Sequence, residues 1–130
     1  MLNRSVFKAY DVRGKYPQDV NEETIDAVVE ALSHIWDSGE IVVSCDGRHG
    51  SDTLSKRAAD RISEKFKVTY VGLATTPMFY FLVNHLEAAG GMMITASHNP
   101  KEYNGVKAVK AGAEAISGKE LLDVIDKNAH

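Results

Sequence analysis

Ile41-Val42-Val43-Ser44-Cys45-Asp46-Gly47-Arg48-His49-Gly50-Ser51 joins a short apolar run to a tight polar loop and then to a residue that caps helices. An apolar run of this length, with no alternating polar positions, suits a strand covered on both faces. Ser51 reads as a helix cap, followed by Leu54, Ala58, Ile62 and Phe66 on one face. Upstream, Asn21 caps a helix with Glu22 and Glu23 in its first turn, where the dipole favours carboxylates. Its stripe is Ile25, Val28, Val29, Leu32, Ile35 and Trp36, and Ser38-Gly39 stops it. Before it, residues 5–13 read as a short strand that runs into a loop at Gly14.

Downstream, residues 68–72 read as a strand, and Thr76-Pro77 opens a helix with Thr76 as cap. That helix is apolar almost all round, so it should be buried on most sides. Residues 92–95 form the next strand, residues 96–104 a polar loop, and residues 105–109 a strand returning antiparallel. Ser117-Gly118-Lys119-Glu120 is a capping box for a final helix with Leu121, Leu122 and Ile125. Alternation of strands and helices predicts an α/β fold: a three-layer α/β/α sandwich on a mixed, mostly parallel sheet of about four main strands, the last antiparallel. Ligands in such folds bind beyond the carboxyl ends of the strands. Loops 9–15, 46–51 and 95–104 leave those ends and should converge.

The chain has 130 residues, the size of one domain. Lys and Arg total 15 against 18 Asp and Glu, a net charge of −3, so neither nucleic acid nor an anionic membrane is an expected partner. Cys45 alone excludes an internal disulfide and a multi-cysteine zinc site. No apolar run approaches a membrane span, and the start lacks a signal peptide's apolar core, so a reducing cytoplasm is the expected compartment. The charge is unevenly spread. Helical segments are acidic, whereas residues 7–15 carry Lys8, Arg13 and Lys15 against Asp11, and residues 97–110 carry Lys101, Lys107 and Lys110 against Glu102. Locally cationic strand ends suit a small anion such as a phosphate ester; the same charges also fit solvated loops. Ser97, in Thr95-Ala96-Ser97-His98-Asn99-Pro100, is either a displayed hydroxyl or part of a turn in which Ser97 and Asn99 bond the local backbone.

Gly90 to Pro100 closely resembles the phosphoserine loop of the α-D-phosphohexomutases, and Lys101-Glu102-Tyr103-Asn104-Gly105-Val106-Lys107 continues the match. Phe7-Lys8-Ala9-Tyr10-Asp11-Val12-Arg13-Gly14, Asp46-Gly47-Arg48 and Thr75-Thr76-Pro77 resemble the same family in the same order. The opening motif is most similar to the phosphomannomutase/phosphoglucomutase branch. The resemblance implies interconversion of hexose 1-phosphate and hexose 6-phosphate through a phosphoserine and a sugar bisphosphate. It implies Ser97 as the phosphorylated residue, Arg13 as a phosphate-gripping arginine, Lys107 in acid–base or phosphate contact, His98 beside the phosphoserine, and Tyr10 near the sugar. It also implies Mg2+, held by the Ser97 phosphate and by an Asp-Gly-Asp-Gly-Asp-Arg loop that has no counterpart among these residues. Arg48, before a helix start, reads as structural.

The resemblance covers the first of four family domains. The expectation is therefore one N-terminal, phosphoserine-bearing domain over residues 1–130, inactive by itself, with phosphosugars and the remaining domains as partners. The alternative is a stand-alone phosphate- or phosphosugar-binding module without catalysis. A serine hydrolase lacks its Gly-x-Ser-x-Gly elbow here, and Walker and dinucleotide fingerprints are absent.

Overall fold

The computed structural model describes residues 2–96 and 99–128. The strands are β1 (Val12–Lys15), β2 (Glu40–Cys45), β3 (Lys67–Leu73), β4 (Gly90–Ile94), β5 (Tyr103–Lys110) and β6 (Glu114–Ile116). The helices are α1 (Glu22–Ser33), α2 (Ser51–Ile62), α3 (Thr76–His85) and α4 (Gly118–Asn128). The sheet order is β1-β5-β4-β2-β3, with β6 on β5 as well. β2 pairs in parallel with β3 and β4, whereas β5 is antiparallel to β4, β1 and β6. Among the described residues five strands therefore run one way and β5 runs against them. This is the expected mixed α/β sandwich, with the last main strand reversed.

Alternation along the strands sorts the core into two layers. Ile41, Val43, Met92, Ile94, Val106 and Ala108 face α1, α2 and α4. Val42, Met93 and Val109 face the other way, toward Phe79 and Val83 of α3. β2 lies mid-sheet, and from Ile41 to Cys45 every residue is buried, as its unbroken apolar run predicts. Asn21 caps α1 in a reciprocal pair with Thr24, and Trp36 donates its indole N–H to Val109 O at 2.9 Å.

Four local expectations shift. The first strand is Val12–Lys15, not residues 5–13: Asn3 accepts from Ser5 N and starts a 3-10 turn at Arg4–Val6, and Gly14 lies inside the strand. A Cβ at Gly14 would come within 2.7 Å of Val6 Cγ1, so the bare backbone lets β1 press onto this turn. The cap of α2 is Gly50, at φ +88°, and Ser51 is instead the first helical residue, donating its hydroxyl to Asp46. The cap of α3 is Thr75, which accepts from Met78 N at 3.2 Å. Finally, α3 is not enclosed on most sides. Of its residues Phe79 and Val83 are fully buried, while Met78 and Phe81 are exposed, because among the described residues α3 is the only α-helix packed on that face of the sheet.

Arg57 of α2 grips Asp26 of α1 through Nε and Nη2 at 2.8 and 2.6 Å. That hydrogen bonding, with the charges of Arg57 and Arg61, holds the Asp26 carboxyl below its ordinary value against a smaller opposing effect of burial. A carboxyl lowered in the folded state stabilises above its unfolded value of about 3.9, and the contribution is lost as pH falls further. Asp26→Asn should therefore lower the melting temperature slightly at pH 7, with the difference from the parent vanishing in acid. Melting curves across that range check it.

Candidate anion site at the strand ends

The loops after β2 and β4 meet as expected, whereas residues 12–15 of the third expected loop form β1, and the residue after β1 joins the other two. The backbone N–H of Asp46 donates to Ile94 O at 3.0 Å, joining the loops that follow β2 and β4. Tyr16 N donates to Glu102 O at 2.9 Å, joining the end of β1 to residues 99–102. Asn104, fully buried, donates to His49 O and Ser51 Oγ at 3.1 and 3.0 Å. The Tyr16 and His49 rings meet edge to face at 5.4 Å. Gly50 passes so close beneath Tyr16 that a Cβ would lie 2.5 Å from its ring.

Arg48 is the clamp of this assembly. Its guanidinium donates to the carbonyls of Asn99, Pro100 and Tyr103 at 2.6, 2.8 and 3.2 Å. Asp46 holds Arg48 in turn, accepting from its backbone N–H at 3.0 Å and lying 3.4 Å from its Nε. The geometry matches the structural reading of Arg48: its donors are turned onto the loop.

Arg13 and Lys107 lie on neighbouring antiparallel strands. The register pairs Val12 with Val106 and Arg13 with Gly105, and continuing it by one step sets position 11 opposite Lys107. Asp11 occupies that position and is 5% exposed. Its Oδ1 lies 2.9 Å from Arg13 Nε, a charge contact without hydrogen-bond alignment, and its Oδ2 lies 3.6 Å from Lys107 Nζ. Arg13 Nη1 also donates to Asn99 Oδ1 at 3.0 Å. Two cations from different strands thus share one buried carboxylate, and one of them reaches the loop after β4. Beside Arg13 opens a cleft of 320 Å³ whose charged lining is Lys8, Arg13 and Lys15 against Asp19, with Asn99 and Tyr103 on its wall; Lys107 is not part of that lining. Such a cleft favours a small anion with several oxygens, which an Arg fork and a Lys ammonium can share.

The structure brings together Arg13 and Lys107. Tyr10 stands on the preceding turn and is 84% exposed. Ser97 and His98 lie outside the described residues. Asp11 has no assigned role in the sequence, where it stands only as the minority charge beside Lys8, Arg13 and Lys15. Among the described residues no three His, Cys, Asp or Glu side chains are grouped to hold a metal ion. These residues therefore do not make a site for the expected Mg2+. Also among the described residues, no helix is long and apolar enough to cross a membrane.

The model of the phosphoglucomutase/phosphomannomutase α/β/α domain I matches residues 4–129. A protein named as phosphohexose mutases from Xanthomonas campestris pv. campestris is 43% identical over 121 residues, covering 92% of this chain and 27% of the relative. A phosphomannomutase from Klebsiella pneumoniae is 38% identical over 130 residues, covering 99% of this chain and 83% of the relative. A crystal structure from Burkholderia thailandensis, described as a phosphoglucomutase/phosphomannomutase family protein, superposes with a TM-score of 0.82 at 26% identity, over 98% of this chain and 31% of that one. The chain thus spans about a quarter of the Xanthomonas relative and a third of the Burkholderia protein. Motif order, sheet topology and domain match agree: the chain belongs to the phosphoglucomutase/phosphomannomutase family, within its α/β/α domain I.

Proposed function

We propose that this chain is the phosphoserine-bearing domain of a four-domain phosphohexomutase acting on hexose phosphates. The observation that carries the reading is the shared placement of Arg13 and Lys107 around Asp11, with Arg13 bonded to Asn99 two residues after Ser97. In the proposed reaction the Ser97 Oγ–P bond breaks as a sugar hydroxyl oxygen takes the phosphoryl group. The hydroxyl proton passes to a base, and Ser97 Oγ recovers one. The resulting bisphosphate returns its other phosphate to Ser97. Phosphoryl transfer asks the protein chiefly for positioning and for compensation of oxygen charge. Arg13 supplies a fork for phosphoryl oxygens, and Lys107 an ammonium that contacts phosphate or moves the proton. His98, next to Ser97 in sequence, is assigned contact with substrate or the transferring phosphate, and Tyr10, exposed on its turn, is available to a sugar.

Mg2+ belongs to this reading as the family cofactor, with Ser97 phosphate as the contact from this chain. So does a cytoplasmic setting, where phosphosugars are formed and used. The 130 residues alone should show no mutase turnover, because sugar recognition and the metal loop are assigned to other domains. The test is titration with glucose 6-phosphate and mannose 6-phosphate alongside a coupled mutase assay. The expected result is weak binding, reduced about tenfold or more by Arg13→Ala through loss of a charge-assisted contact, and no turnover. Binding indifferent to Arg13→Ala would contradict the site; turnover would contradict the need for other domains.

A further inference from the structure

The geometry points to Asp11 as a built-in counter-ion of the anion site: it holds Arg13 and Lys107 in place when no phosphate is present, and it weakens phosphate binding enough for the group to leave. This inference rests on the proposed role of Arg13 and Lys107 as phosphate contacts.

The carboxylate is fixed, whereas the cations around it are long and partly exposed. Lys8 N donates to Asp11 O at 2.7 Å and closes the turn that precedes β1. Gly118, at the start of α4, presses on the same turn so closely that a Cβ there would lie 2.4 Å from Asp11 O and from Lys8 O. The backbone of Asp11 is thereby trapped between β5 and α4. Its side chain is 6% exposed, against 36% for Arg13 and 25% for Lys107. Among the described residues Asp11 Oδ1 receives no hydrogen bond. The charge of so buried a carboxylate is balanced by the two cations beside it, Arg13 and Lys107.

Summed charge gives the consequence. Arg13 and Lys107 contribute two positive charges, and Asp11 reduces the cluster to one. An arriving phosphate dianion meets two cations already held by Asp11 and repels a carboxylate that cannot move away. Without Asp11, both cations would bind phosphate unopposed. Tighter binding of the resting state would not speed transfer, since only interactions stronger in the transition state do so. Asp11 is thus a positioning residue that also sets the strength of the site.

The test is titration calorimetry of inorganic phosphate into the 130-residue chain, using protein whose intact mass shows no phosphate adduct, at low and at raised salt. Two neutral variants, Asp11→Asn and Asp11→Ser, are measured in whichever retains the parent's melting transition, with Asp11→Glu as the charge-preserving control. Neutral variants should bind phosphate about tenfold more tightly at low salt, with a steeper loss on adding salt. Asp11→Glu should stay within about twofold of the parent, because the charge is kept. Equal or weaker binding by the neutral variants overturns the inference, as does equal tightening by Asp11→Glu. Phosphate binding by the parent that neutral variants leave unchanged removes this inference and spares the anion site. Absence of binding in the parent and all variants removes both.

Discussion

Phe79→Ala should destabilise the chain by about 3–5 kcal/mol, the usual result of emptying an aromatic site in a core. Phe79 is fully buried and is the largest side chain of the layer formed with Val42, Val83, Ala88, Met93 and Val109. Among the described residues the other face has α1, α2 and α4 to share its burial; this one has α3 and the turn at Ala111–Ala113. A hole beneath α3 therefore has few neighbours able to close it. Gly91 lies directly below, and a Cβ there would come within 2.7 Å of the Phe79 ring, so ring and bare backbone fit each other. Stability of an ordinary domain is about 5–15 kcal/mol, so such a loss is a large part of the whole. Urea unfolding measures it. Met78→Ala, one residue away and 49% exposed, should change the midpoint little.

Arg48→Ala should cost about 1.5–3 kcal/mol, the range for hydrogen bonds to a charged group, and should loosen residues 99–103. The three carbonyls that Arg48 serves belong to the loop on which Asn99 steadies Arg13. Hydrogen exchange resolves the effect by position. Protection should fall at Asn99 N, Tyr103 N and Tyr16 N, whose acceptors are Ala96 O, Pro100 O and Glu102 O. It should persist in β2 and β4, which lie in the middle of the sheet. A uniform fall throughout the chain would mean that Arg48 supports the whole fold and not the loop.

Much of this architecture is legible in residue patterns, for reasons that vary by element. β2 announces itself because a strand covered on both faces needs an unbroken apolar run, and Ile41 to Cys45 supplies one. α1 is readable from its stripe and from Asn21, whose side chain closes on Thr24. The caps of α2 and α3 each move one residue upstream, since Gly50 or Ser51, and Thr75 or Thr76, all suit a helix start. β6 carries no signal of its own: three residues, Glu114–Ile116, are strand only because β5 offers an edge beyond β1. The exposed side of α3 is equally illegible, because periodicity reports how apolar a helix is and not how many layers cover it.

The site divides in the same way. Arg13, Lys107 and the 99–103 loop are found from motif and local charge. Asp11 stands in the quoted motif, but its role depends on register. Only the pairing of Val12 with Val106 sets it against Lys107, and only burial makes it a fixed anion. A lone carboxylate amid Lys8, Arg13 and Lys15 is the one sequence signal that marked it.

If Ser97 carries the phosphoryl group, as proposed, intact mass with phosphopeptide mapping detects it. The chain is measured as purified and after incubation with glucose 1,6-bisphosphate, beside Ser97→Ala. The expected result is a single phosphate adduct that maps to Ser97 and is absent from Ser97→Ala. An adduct on another residue, or one that survives in Ser97→Ala, would contradict it.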